Sequence, residues 1–87
     1  MASDFLIELR PLALRQLRAL DRTDQSLLGA AISNLATDLR PNGSRRLRTR
    51  RGYLLNVNNC RVIYTIDVHA LLVVIVAVRR HGDVPSN

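Results

Sequence analysis

The 87-residue chain has room for one domain, residues 1–87, with a modest core. Its composition, 47% hydrophobic and only 3% aromatic, excludes a disordered polar chain and points to an aliphatic core. All 13 basic residues are arginine and the net charge is +6, which suits a polyanion or an acidic protein partner and leaves no lysine as a general base or Schiff-base former.

Cys60 has no partner for an internal disulfide, and nothing shows paired metal-ligand spacing. The expected setting is therefore the reducing cytoplasm, with no metal and no cofactor. The start Met-Ala-Ser-Asp-Phe lacks the pattern of a secretory leader, and Leu71 to Val78 is far short of the roughly 18 apolar residues of a spanning helix, so no membrane partner is expected.

In chain order, Phe5 to Leu9 is a short apolar run that predicts a first strand. Pro11 stands where a first helical turn accepts it, and Ala13, Leu14, Leu17 and Leu20 follow at helical spacing with arginines mostly on the other side. Asp21, Thr23 or Asp24 can cap a second helix carrying a stripe of Leu27, Leu28, Ala31, Ile32, Leu35 and Leu39. Arg40-Pro41-Asn42-Gly43-Ser44 ends that helix, because proline disfavours helical geometry in the residue before it. A linker with five arginines in seven residues follows: Arg45, Arg46, Arg48, Arg50 and Arg51.

Tyr53, Leu55 and Val57, then Val62, Tyr64 and Ile66, each line one side of a strand, with Asn58-Asn59 as a tight connection tolerant of positive φ. The eight apolar residues Leu71 to Val78 predict a central strand covered on both faces. The expected fold is α+β: a small antiparallel sheet of about four strands with an N-terminal helical hairpin on one face, in the order β-α-α-β-β-β.

The order of elements, Asp38-Leu39-Arg40-Pro41, Arg46-Leu47, the closing basic cluster and above all Arg61-Val62-Ile63-Tyr64-Thr65-Ile66-Asp67 resemble the toxin family that includes RelE and ParE. The resemblance spans nearly the whole chain. It implies a toxin of a type II toxin-antitoxin pair, held by a cognate antitoxin. In the RelE branch such a toxin cuts mRNA in the ribosomal A site, and in the ParE branch it poisons DNA gyrase. By the same resemblance, Arg61 matches a family arginine. Other family positions differ: Leu54 and Asn56 stand where second-strand basic residues are usual, Cys60 where an aromatic precedes the arginine, His81 where an arginine is usual, and Pro85 where a tyrosine closes the chain.

Arg61 lies on the strand face opposite Val62 and Tyr64, so it is either a surface residue paired to a carboxylate or a group aimed at a phosphate, for which a planar guanidinium is suited. His81 follows Arg79 and Arg80, whose charges favour a neutral imidazole able to take a proton; an exposed histidine with no role fits as well. Metal-free RNA cleavage by a 2′-hydroxyl needs a base, an acid and a charge stabiliser, so His81 is the candidate for proton transfer and Arg61 with Arg80 for stabilisation. Arg45, Arg46, Arg48, Arg50, Arg51 and Arg79 are candidates for docking on a phosphate backbone, or for a solvated or antitoxin-facing surface. The leading expectation is a ribosome-dependent mRNA endonuclease. The alternatives are a gyrase inhibitor without hydrolysis and a decayed member that only binds antitoxin.

Overall fold

The computed structural model describes residues 4–48 and 51–80. Its elements run β1 (Leu6–Leu9), α1 (Pro11–Arg18), α2 (Arg22–Asn34), β2 (Ser44–Arg46), β3 (Tyr53–Val57), β4 (Cys60–Asp67) and β5 (Leu72–Arg80). They form one five-stranded sheet in the order β1-β5-β4-β3-β2. The α+β class, the element types and the helical hairpin are as the sequence predicts. Two details differ. β1 joins β5 in parallel, so the sheet is mixed. Part of the arginine-rich linker, Ser44–Arg46, is a short edge strand against β3.

That edge forms because the Pro41 to Ser44 turn, closed by the Ser44 amide donating to the Pro41 carbonyl at 3.0 Å, aims the chain back along β3, where the Asn56 amide reaches the Gly43 carbonyl at 3.0 Å. Gly43 holds φ +92, a value costly for any residue with a Cβ. Gly52 is more constrained still. At φ +126, an added Cβ would lie 2.9 Å from the Tyr64 carbonyl oxygen.

Of the three candidate caps, Asp21 closes the N-terminus of α2 by accepting from the Asp24 amide at 2.8 Å. The helix stops at Asn34, earlier than Pro41 alone predicts. The amides of Leu35 and Ala36 bond three residues back, to Ile32 and Ser33, which tightens the last turn, and the freed Ala36 carbonyl accepts from Phe5. Leu39 lies beyond the helix but still packs on the core.

The core sits between the helices and one face of the sheet, built from Ala13, Leu28, Ile32 and Leu35 against Leu55, Cys60, Val62, Tyr64, Val73, Ile75 and Val78. Leu14 and Leu27, placed by their spacing on the apolar stripes, are instead 37% and 43% exposed. β5 is covered by helices on one face only; Val74, Val76 and Ala77 are half-buried on the other. The Asn58-Asn59 connection is the expected tight hairpin, with Asn58 at φ 55. No helix among the described residues is long and apolar enough to cross a membrane.

Candidate nucleic-acid interface

The pleat of β4 sends Val62 and Tyr64 into the core and Arg61, Ile63 and Thr65 to the helix-free face. The register then assembles a surface around Arg61. Asn56 of β3 stands opposite Arg61 on one side and Arg79 of β5 on the other. One step along, Ile63 faces Leu54 and Ala77, and Leu54 in turn faces Arg45 of β2. Side chains directly opposite on neighbouring strands project to the same face, with Cβ atoms about 5 Å apart. Three arginines from three strands therefore rim an apolar floor in which Leu54 is only 6% exposed. The two guanidinium groups facing each other across neighbouring strands concentrate positive charge at this point of the face. Arg61 is half-buried; Arg45 and Arg79 are exposed.

Arg79 reaches this face because of a bulge. Ile63 pairs with Ala77 but Tyr64 pairs with Ile75, leaving Val76 as an extra residue. Before the bulge, Val73 and Ile75 point into the core; after it, Val78 does. Strict alternation from Ile75 would have turned Arg79 toward the helices. β1 ends at Leu9, and beyond that point Gln16 of α1 serves the β5 edge, its Oε1 accepting from the Val78 amide at 2.8 Å.

Arg80 projects the other way. It shares a register position with buried Cys60, and its Nε lies 3.9 Å from Oδ2 of Asp24 in the first turn of α2. Asp24 is itself 7% exposed. The structure thus brings Arg79 across from Arg61 and sets Arg80 on the helix side. Arg46 pairs with Tyr53 and also faces the helix side, while Arg48 and Arg51 are exposed in the β2–β3 connection. Arg50 and His81 lie outside the described residues. His69 occupies the β4–β5 turn and is exposed. Among the described residues no group of three His, Cys, Asp or Glu side chains could hold a metal.

Sequence reasoning missed the tyrosine pair beside the edge. Tyr53 and Tyr64 stack with ring centroids 5.6 Å apart, and the Tyr64 hydroxyl donates to the Leu39 carbonyl at 2.8 Å. Burial pushes the Tyr64 phenol above its ordinary 10.0, with a hydrogen bond involving Ser44 acting in the opposite direction. Arg40 lies over Tyr53, its guanidinium carbon 5.8 Å from the ring centroid. The 13-residue separation of Arg40 and Tyr53 carries no local signal in the sequence.

Two helices and a five-stranded open sheet match the fold of solved RelE structures. Solved structures with this fold include the RelBE2 toxin-antitoxin complex from Mycobacterium tuberculosis, at 21% identity and TM-score 0.78 over 95% of this chain and 98% of that one. The intact RelBE complex of E. coli is similar at 18% identity and TM-score 0.76, covering 87% and 95%. The archaeal RelE-RelB complex from Pyrococcus horikoshii gives 14% identity and TM-score 0.79, covering 93% and 99%. No curated protein sequence matches significantly. The model of a family described as "ParE toxin of type II toxin-antitoxin system, parDE" matches residues 7–85. The chain belongs to the RelE/ParE family of type II toxins.

Proposed function

We propose that this toxin cuts mRNA on the ribosome, using the helix-free face of its sheet. The observation that carries the reading is the cross-strand placement of Arg61 and Arg79, with Arg45 on the same face. Two guanidinium groups at neighbouring register positions suit the oxygens of one phosphate, where charge accumulates as the 2′-hydroxyl attacks. The reaction forms a bond between that 2′-oxygen and phosphorus and breaks the bond from phosphorus to the 5′-oxygen. One proton leaves the 2′-hydroxyl and one reaches the departing oxygen. His81, directly after Arg80, is the proposed proton carrier, and no metal is required. Leu54, Ile63 and Ala77 supply an apolar floor against which a base can lie.

The partner that holds the toxin in check is an acidic antitoxin. Its apolar contacts fall on Leu12, Leu14 and Leu27, which are exposed on the helical layer, and its charge complements +6. The solved relatives are themselves toxin-antitoxin complexes, which supports such a pairing.

The test is to incubate purified protein with programmed ribosomes and map the mRNA ends. New ends in the ribosome-bound message, reduced about 100-fold or more in Arg61→Ala, are expected. Intact message would refute the reading. A second reading, a gyrase inhibitor with no hydrolytic site, is favoured by the ParE description of the matching family and by uncharged Leu54 and Asn56 on β3. Supercoiling inhibited while message stays intact would select it.

A further inference from the structure

Where the α2–β2 connection meets the edge of the sheet lies a pocket of about 480 Å³, lined by Arg40, Asn42, Gly43, Arg45, Arg46 and Tyr53 among others. Its base is well anchored. Tyr53 stacks on Tyr64, which is fully buried and bonded to the Leu39 carbonyl. Arg40 is fixed in turn on Tyr53, its guanidinium over the ring and its Nη1 donating to the hydroxyl at 3.3 Å. That hydrogen bond uses one of five guanidinium donors. Arg46 pairs with Tyr53 in the register and so projects to the same side. The Ser44 hydroxyl donates to the Pro41 carbonyl at 2.7 Å, which leaves the arginines as the pocket's strong donors. Among the described residues no carboxylate forms an ion pair with Arg40, Arg45 or Arg46.

Charged residues on a short edge strand guard against edge-to-edge aggregation, which accounts for Arg45 and Arg46. It does not account for Arg40, which comes from a different segment and rests on an aromatic stack rooted in the core. Two further clefts continue the pattern along the same edge, one lined by Arg45, Arg46 and Arg48, the other by Arg46, Arg51 and Tyr53. A series of cationic clefts sharing Arg46 matches a polymer with a charge on every unit better than a single carboxylate.

We propose that the Arg40–Arg46–Tyr53 pocket seats a backbone phosphate of an RNA strand running along the β2 edge. It is a docking site at the β2 edge, centred on side chains of the helix side, and it meets the Arg61–Arg79 face only at Arg45. The proposal rests on the RNA reading for the identity of the polymer and requires binding only.

Binding of the full chain to a short single-stranded 2′-O-methyl RNA, which cannot be cut by 2′-hydroxyl attack, tests it by fluorescence anisotropy across a salt series. Arg40→Ala and Arg46→Ala are each expected to weaken binding about 5-fold and to lower the salt slope by about 0.7, one phosphate contact on a single strand. Tyr53→Phe keeps the stack and removes the hydroxyl that holds Arg40, and is expected to weaken binding about 2-fold. Arg22→Ala, which removes an exposed charge from the start of α2, is expected to change nothing beyond its share of the general field. Circular dichroism checks that each variant is folded. Equal losses in Arg22→Ala and Arg40→Ala would overturn the site in favour of non-specific attraction. So would poly-glutamate displacing the RNA at matched charge, the mark of an acidic protein ligand. Inorganic phosphate perturbing the Arg40 and Arg46 resonances while RNA binding ignores both substitutions would also overturn it, as a free-anion site. Intact mRNA on ribosomes together with Arg40-sensitive binding defeats the cleavage reading alone; cleavage with Arg40-insensitive binding defeats this site alone.

Discussion

The two faces of the sheet use the same strands for opposite purposes. On the helix side, Val62, Tyr64, Val73, Ile75 and Val78 are at most 2% exposed and pack against Leu28, Ile32 and Leu35. On the other side the same strands carry Arg61, Arg79 and Arg45 around Leu54 and Ile63. Burial makes the first face sensitive to shape and intolerant of charge. Exposure and concentrated positive charge make the second sensitive to charge and to salt. The difference teaches that strand alternation alone does not separate core from site here. The bulge at Val76 absorbs one residue of β5 and so keeps Val78 inward and Arg79 outward where plain alternation over the same residues would reverse them.

Inserting one alanine between Val76 and Ala77 should have the largest effect. The bulge absorbs one extra residue and not two, so either Val78 leaves the core and Arg79 turns to the helix side, or the end of β5 loses its pairing with β4. Toxicity on induction is expected to vanish and the melting temperature to fall, whereas deleting Val76, which restores plain alternation and leaves Val78 inward and Arg79 opposite Arg61, should retain toxicity. A toxic insertion variant beside a non-toxic deletion variant would contradict this account of how Arg79 is placed. Gly52→Ala comes next, since its Cβ would meet the Tyr64 carbonyl at 2.9 Å in a backbone conformation that L side chains rarely adopt. A loss of about 1–3 kcal/mol by urea unfolding is expected. Gln16→Ala leaves the Val78 amide without its acceptor and should cost about 1 kcal/mol. Amide exchange at Val78 would rise if that bond is the protecting one and stay unchanged if it is not.

The smallest effect concerns pH. The Tyr64 phenol titrates above its ordinary value in the fold, so the folded state keeps a proton that the unfolded chain gives up near 10.0. Stability should be level below that pH and decline as pH rises through the unfolded and then the folded value. In Tyr64→Phe this part of the alkaline decline should be missing, though the bond to Leu39 is lost at every pH. An identical decline in the variant would assign the alkaline loss to other groups.

Much of the architecture was legible because periodicity reports burial directly. Val62, Tyr64 and Ile66 alternate as half-buried strand residues do, Asp21 was one of three cap candidates, and Pro11 sits in the first turn of α1. The parallel β1–β5 pairing was not legible, since an apolar run does not state which neighbour it will choose. β2 was hidden because Ser44–Arg46 is stabilised by its neighbour β3 and has no apolar pattern of its own. In the candidate site, the outward position of Arg61 followed from alternation. Its partner did not: a bulge inside eight consecutive apolar residues leaves no trace in hydropathy, so Arg79 and Arg80 could not be told apart. The Arg40–Tyr53 contact was likewise a product of tertiary folding.

The most direct measurement compares RNA cleavage on ribosomes by Arg61→Ala, Arg79→Ala, the double variant and Arg80→Ala. Because Arg61 and Arg79 face one another and Arg80 pairs with Asp24 on the far side, the first two single losses should be large and the double loss smaller than their product. Arg80→Ala should stay within a few-fold of the parent once stability is matched. Arg80→Ala as damaging as Arg61→Ala, with Arg79→Ala silent, would contradict the placement of the site on the helix-free face.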